Sequence, residues 1–183
     1  MHKAVFLDKD GTLIHDLPYN VDPSLITWQE GVFEALQLLV AQGYLLVIVT
    51  NQSGVARGLF TEDDLLTLDA AMRVVLKEKG IQLDGFYYSP YHIEGTVKEY
   101  ALHSDCRKPG TGMFVKAAKE MGIDLSASWM IGDTLSDVEA GNKAGCRTIL
   151  IGKEPAAVTD ERKLPAHIAK TILEAAHIIQ RSA

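Results

Sequence analysis

Short apolar runs alternate along this chain with stretches whose apolar residues recur every three or four positions. Val5-Phe6-Leu7 reads as a buried strand, cut short by Asp8-Lys9-Asp10-Gly11-Thr12. Val32, Leu36, Leu39 and Val40 fall at helical spacing across residues 31–42, and Gly43 supplies a stop. The run Tyr44-Leu45-Leu46-Val47-Ile48-Val49 suits a strand covered on both faces. Thr61, with Asp64 three residues on, caps a predicted helix that reaches about Lys79 and is closed by Gly80. A strand over 86–88, a helix over 111–121, a strand over 128–131, a helix to Ala144 and a strand over 147–151 follow. The tail adds a short strand near His167 and Ile168 and a helix over 174–180. Strands that alternate with helices predict an α/β fold: a doubly wound parallel sheet with helices on both faces.

The polar residues cluster where strands end. In an extended chain two acids two residues apart share a side, so Asp8 and Asp10 can point at one spot. The same alternation turns Lys9 away from both, which leaves it without a chemical role. Thr50-Asn51-Gln52-Ser53-Gly54 follows the second strand, and Gly132-Asp133-Thr134-Leu135-Ser136-Asp137 follows the fourth. In doubly wound sheets ligands collect beyond the carboxyl ends of the strands, which gathers Asp8, Asp10, Thr50, Asn51 and Asp133 into one crevice. Close carboxylates repel unless a cation or a proton sits between them, and oxygen ligands suit a hard cation such as Mg2+. Asp8 can then attack a phosphorus atom, and Asp10 can protonate the departing oxygen and later activate water. Thr50 can bind phosphoryl oxygens, Lys108 can neutralise their charge, and Asp133 can share the cation with Asp8.

The 183 residues suffice for one domain spanning 1–183, and 47% hydrophobic with 23% charged residues is ordinary for a globular chain. A net charge of −6 and the lack of a basic stripe speak against a nucleic-acid partner. No apolar run is long enough for a membrane span and no basic leader is visible, so a cytoplasmic location is expected. Cys106 and Cys146 make no disulfide framework. The absence of a heptad pattern favours a monomer.

Asp8-x-Asp10-Gly11-Thr12, Thr50 after its apolar strand, Lys108-Pro109 and Gly132-Asp133-x-x-x-Asp137 resemble, in order, the four motifs of the haloacid dehalogenase superfamily. The resemblance implies a Rossmann-like phosphatase core, the Asp10 backbone carbonyl as a further magnesium ligand, and Asp137 orienting Lys108 or a metal-bound water. The stretch 50–58, the run Cys106-Arg107-Lys108-Pro109 and Asp84-Gly85-Phe86-Tyr87-Tyr88 look like the histidinol-phosphate and heptose-bisphosphate phosphatase group. Within it the chain most resembles the D-glycero-D-manno-heptose 1,7-bisphosphate 7-phosphatases, with histidinol phosphate as the alternative substrate. That group lacks a large cap domain and handles small phosphorylated metabolites with three loops, here 16–19, 51–57 and 89–108. Asp16, Tyr19, Asn51, Gln52, Ser53, Arg57, Arg107 and Lys108 become the implied substrate contacts. Tyr19 stands either against a substrate or as a plug of its loop onto the core.

The group commonly holds a structural zinc in its third loop through a Cys-x-His pattern and a later Cys-x-Cys pair. Here those positions read Ser89-Pro90-Tyr91 and Ser104-Asp105-Cys106, so zinc is expected to be absent. The loop is then expected either to be held by packing of Tyr91 and Ile93 or to be more mobile than in zinc-bearing relatives. A noncatalytic phosphoacceptor domain is the reading from another class. Asp10 argues against it, because a domain that must keep its phosphoryl group has no use for a second acid.

Overall fold

The computed structural model describes residues 1–153 and 158–182. In chain order the elements are β1 (Lys3–Leu7), α1 (Val32–Ala41), β2 (Tyr44–Asn51), α2 (Glu62–Glu78), β3 (Gly85–Ser89), α3 (Gly112–Met121), β4 (Trp129–Gly132), α4 (Leu135–Ala144), β5 (Arg147–Ile151), β6 (His167–Ala169) and α5 (Ile172–Arg181). Every strand the apolar runs predict is present, and the helix boundaries lie within a few residues of expectation.

The strands form one parallel sheet in the order β3-β2-β1-β4-β5-β6. Side chains alternate across it. Val5 and Leu7 face α1, α2 and α5, whereas Ala4 and Phe6 face Met113, Phe114 and Ala117 of α3 and Ala140 of α4. Phe6 and Phe114 pack with ring centroids 4.8 Å apart. Each such buried large side chain contributes about 1.5–3 kcal/mol of transfer free energy before entropy is counted. This two-faced burial explains why β1 and β2 read as continuous apolar runs instead of alternating ones.

Local chemistry sets the helix starts. Thr61 and Asp64 form a reciprocal capping box at α2, and Thr134 and Asp137 form another at α4. From β1 the chain builds outward through β2 to β3, then crosses over to β4 and builds the other way. The sheet therefore has its switch point between β1 and β4, where a crevice opens at the carboxyl ends of the strands. Among the described residues no helix is long and apolar enough to cross a membrane.

Candidate active site

β1, β2 and β4 are neighbours, so the polar residues that end them meet at the switch point. Asp8, Asp10, Asp16, Thr50, Asn51, Lys108, Asp133 and Asp137 all line one cavity of about 210 Å³. At its floor the amine of Lys108 donates to Asp8 Oδ1 at 2.6 Å and to the Val49 carbonyl at 2.8 Å, and lies 2.6 Å from Asp137 Oδ1. Lys108 is 4% exposed and Asp137 2%. Burial opposes the charge on Lys108, but the adjacent Asp8 and Asp137 carboxylates outweigh it and hold the amine above its usual range.

The other oxygen of Asp137 is used as well: Oδ2 accepts from Thr134 N at 3.0 Å and from Thr134 Oγ1 at 2.6 Å. Asp137 thus ties Lys108 to the start of α4. Gly132 makes room for it, since a Cβ there would fall 2.4 Å from Asp137 Cβ. Gly11 does the same for Asp133. It has φ +82°, and a Cβ would lie 2.1 Å from Asp133 Oδ2, so a side chain at position 11 would drive the carboxylate out of the site.

One ligand atom each from Asp8, Asp133 and Asp137 lies within 4.8 Å of the others, and among the described residues no other His, Cys, Asp or Glu group is arranged to hold a metal ion. Three carboxylates against the single ammonium of Lys108 leave two negative charges. Burial pushes Asp8 up to about 7, with Asp137 and Asp10 adding to the rise against Lys108. Asp133 is raised to about 6 because protein crowds its carboxylate even though the residue is exposed, and Asp137 and Asp16 add to the effect. Such a donor set, all oxygen and two charges short of neutral, fits a hard divalent cation.

Asp10 is held differently. Its Oδ1 takes the amine of Lys9 at 2.5 Å, and its Oδ2 accepts Gln52 Nε2 at 2.9 Å. Gln52 Nε2 also reaches Thr50 Oγ1 at 2.8 Å. The expectation that Lys9 turns away from the acids is therefore corrected. The chain leaves the strand at Leu7, and Leu13 N and Ile14 N both bond the Lys9 carbonyl, so strand alternation no longer governs residues 8–10. Lys9 is fully buried and spends its charge on Asp10. The sequence carried a signal for this, because Gly11 forces an immediate turn.

A second cavity of about 300 Å³ continues outward from the first through the shared residues Asp10, Asp16 and Asn51, and Tyr19, Gln52 and Ser53 also line it. Tyr19 is exposed and adopts φ +58°, so it stands as a cleft wall and not as a plug buried in the core. Gln52, 5% exposed, turns its amide group inward to Asp10 and Thr50. Asn51 clamps the Lys108 backbone, accepting from its N–H at 3.0 Å and donating to its carbonyl at 3.1 Å. Arg57 and Arg107 lie close enough for the Arg57 charge, after burial, to lower the Arg107 guanidinium, and Tyr19 is within reach of the same group. Arg57 pairs loosely with Glu94 at 3.5 Å, while its buried Nε has no partner among the described residues.

The 89–108 loop departs from expectation in how it is held. Ile93 is 58% exposed and packs nothing down. Tyr91 instead lies against Tyr100, ring centroids 6.0 Å apart, and the Tyr88 and Tyr100 hydroxyls both donate to Glu62. Glu62 went unrecognised in the sequence because the acids opening α2 are explained by helix capping alone, and its partners lie 26 and 38 positions away. His15 is exposed, Cys146 is buried with its thiol pushed up to about 12 by desolvation, and Trp129 is buried while Trp28 is half-buried.

An open parallel sheet whose switch point joins clustered carboxylates to a buried lysine defines a hydrolase of the HAD-like class, and the HAD-hydrolase-like family model matches residues 105–175. A protein of Pasteurella multocida (strain Pm70) named D-glycero-beta-D-manno-heptose-1,7-bisphosphate 7-phosphatase is 46% identical over 167 residues, 91% of this chain and 90% of that protein. The Haemophilus influenzae protein of the same name is 41% identical over 182 residues, covering 99% of this chain and 98% of its own length. The crystal structure of D,D-heptose 1,7-bisphosphate phosphatase from B. bronchiseptica, complexed with magnesium and phosphate, superposes with a TM-score of 0.81 at 26% identity and covers 99% of both chains. The chain belongs to the family of D-glycero-beta-D-manno-heptose-1,7-bisphosphate 7-phosphatases, within the HAD-like hydrolases.

Proposed function

We propose that this protein hydrolyses the 7-phosphate of D-glycero-D-manno-heptose 1,7-bisphosphate through an aspartyl-phosphate on Asp8, residues 1–183 acting as one phosphatase domain. The observation that carries the reading is the acid pocket in which Lys108 bridges Asp8 and Asp137 beside Asp133, opening directly onto the cleft. Its likeness to relatives of that name over nearly the whole chain supports the substrate.

Asp8 supplies the nucleophilic oxygen, forming a P–O bond as the bond from phosphorus to the sugar oxygen breaks. Lys108 neutralises charge on the transferring group, and the Thr50 hydroxyl donates to one of its oxygens while accepting from Gln52. Asp10 gives its proton to the departing oxygen and then takes one from the water that cleaves the intermediate, restoring Asp8. Lys9 and Gln52 fix where the Asp10 carboxyl group stands. A magnesium ion held by Asp8, Asp133 and the Asp10 carbonyl would supply the positive charge that offsets repulsion between the anionic nucleophile and its anionic substrate.

Outside the acid pocket, Arg57 and Arg107 are two cations with a shortage of anionic partners, suited to the phosphate that is not cleaved. Asp16, Tyr19, Asn51 and Ser53 border the space for the sugar. The 89–108 loop works without zinc, held by its tyrosines. Steady-state phosphate release with magnesium, comparing the heptose bisphosphate with histidinol phosphate, tests the reading. The bisphosphate should show the higher kcat/KM and leave the sugar 1-phosphate as product. A higher kcat/KM for histidinol phosphate contradicts the assignment.

A further inference from the structure

The 89–108 loop is fastened by different chemistry at its end and in its middle, where the Ala56 carbonyl also takes Thr96 N and Val97 N. Its end is fixed through Lys108, by Asn51 on the backbone and by Asp8, Asp137 and the Val49 carbonyl on the amine. Its middle has none of these ties. There Glu62, the first residue of α2, accepts the Tyr88 hydroxyl on Oε1 at 2.9 Å and the Tyr100 hydroxyl on Oε2 at 2.7 Å. Tyr88 belongs to β3 and Tyr100 to the loop, so one carboxylate joins helix, sheet and loop. A carboxylate can serve two hydroxyl donors with both oxygens, and hydrogen bonds to an ionised acceptor are the stronger kind.

From Tyr100 the contacts continue to Arg107, which lies within reach of the cleft residue Tyr19. Its carbonyl accepts His92 N at 3.1 Å, its ring lies against Tyr91, and the Tyr91 carbonyl accepts Arg107 Nη1 at 3.4 Å. Glu62 itself lines neither the acid pocket nor the cleft.

We propose that Glu62 is a positioning residue: through Tyr100 and Tyr91 it sets where Arg107 stands, and so the affinity for the end of the substrate remote from the scissile bond. The inference rests on the reading of the chain as a bisphosphate phosphatase. Because Lys108 has its own anchorage, loosening the Glu62 clamp disturbs binding and leaves the chemistry in place. Both tyrosine hydroxyls are pushed up to about 12, Tyr88 by burial and then Glu62, Tyr100 by its bond to Glu62 first, so they stay protonated donors at any working pH.

The test is Glu62→Gln, assayed against heptose bisphosphate and against p-nitrophenyl phosphate, which has no second phosphate. KM for the bisphosphate should rise about tenfold with kcat within about twofold, and kcat/KM for p-nitrophenyl phosphate should hold. Tyr100→Phe and Tyr88→Phe should move KM the same way by less. Tyr87→Phe, on the same strand as Tyr88, removes a hydroxyl bonded to Glu120 of α3 and should change nothing. In parallel, amide hydrogen exchange across 92–106 should quicken in Glu62→Gln, while the Lys108 amide keeps its protection. An unchanged bisphosphate KM, or an equal loss on both substrates, overturns the proposal. If the wild-type protein releases phosphate from p-nitrophenyl phosphate but not from the bisphosphate, the parent reading fails. The exchange experiment still decides whether Glu62 holds the loop, unaltered exchange counting against it.

Discussion

The acid pocket and the loop that borders it are built on opposite principles. Asp8, Asp133 and Asp137 leave the ends of adjacent strands or the first turn of a capped helix, so the sheet itself brings them together. Past the end of β3 at Ser89, the 90–108 segment has no regular structure and takes its shape from tertiary bonds: Glu62 with two tyrosines, Asn51 on the Lys108 backbone, and the Ala56 carbonyl accepting Thr96 N at 2.8 Å and Val97 N at 2.9 Å. The comparison teaches a division of labour. Most groups that act on phosphorus sit on the rigid frame, with Lys108 bound to it from the end of the loop, and groups that select the rest of the substrate sit on irregular segments that sequence change can reshape.

Substitutions in the frame should therefore cost turnover, and those in the loop should cost affinity. The largest effect is expected for Asp8→Asn, which removes the nucleophile and should lower kcat by about 10⁴-fold or more in a phosphate-release assay. Asp10→Asn should follow, with kcat down about 10²–10⁴-fold and KM little changed, since proton transfer is lost while the pocket stays filled. Arg107→Ala should raise KM for the bisphosphate about tenfold and leave kcat near the wild-type value. A large kcat loss there would erase the distinction between the two regions.

How far the sequence announced each region follows the same line. β1, β2 and β4 were legible because burial on both faces leaves unbroken apolar runs, and the acids stand out where those runs stop. Asp8, Thr50 and Asp133 are thus found by their place in the chain as much as by their chemistry, whereas Lys108 is found by the Lys108-Pro109 motif. Lys9 escapes the pattern because strand periodicity does not extend past Leu7 into residues 8–10. Glu62 was invisible for a different reason: its function lies in two hydroxyls contributed by distant segments, and no local pattern encodes a tertiary hydrogen bond. Ile93, chosen as a loop anchor for its hydrophobicity, faces outward because the tyrosines supply the anchorage.

The smallest expected effect is on stability, and its sign comes from the raised carboxylates. Asp133, at about 6 in the fold against an ordinary 3.8, favours folding while protonated. That contribution is complete below about 4 and lost as pH rises through about 6. Without metal at pH 8, Asp133→Asn should then raise Tm by about 3 °C, with a smaller gain at pH 5. Added magnesium should raise the wild-type Tm but not that of the variant. The same sign makes wild-type stabilisation by magnesium weaken as pH falls through the range from about 7 to about 6, where Asp8 and Asp133 take up protons. Thermal melts at both pH values, with and without the ion, check this.

The most direct measurement is an acid quench of the protein during turnover of substrate labelled in the scissile phosphate, followed by peptide mapping. The label should be found on Asp8, be released by hydroxylamine, and be missing from Asp8→Asn. Turnover with no label on Asp8, or with label on another residue, would contradict phosphoryl transfer through this carboxylate.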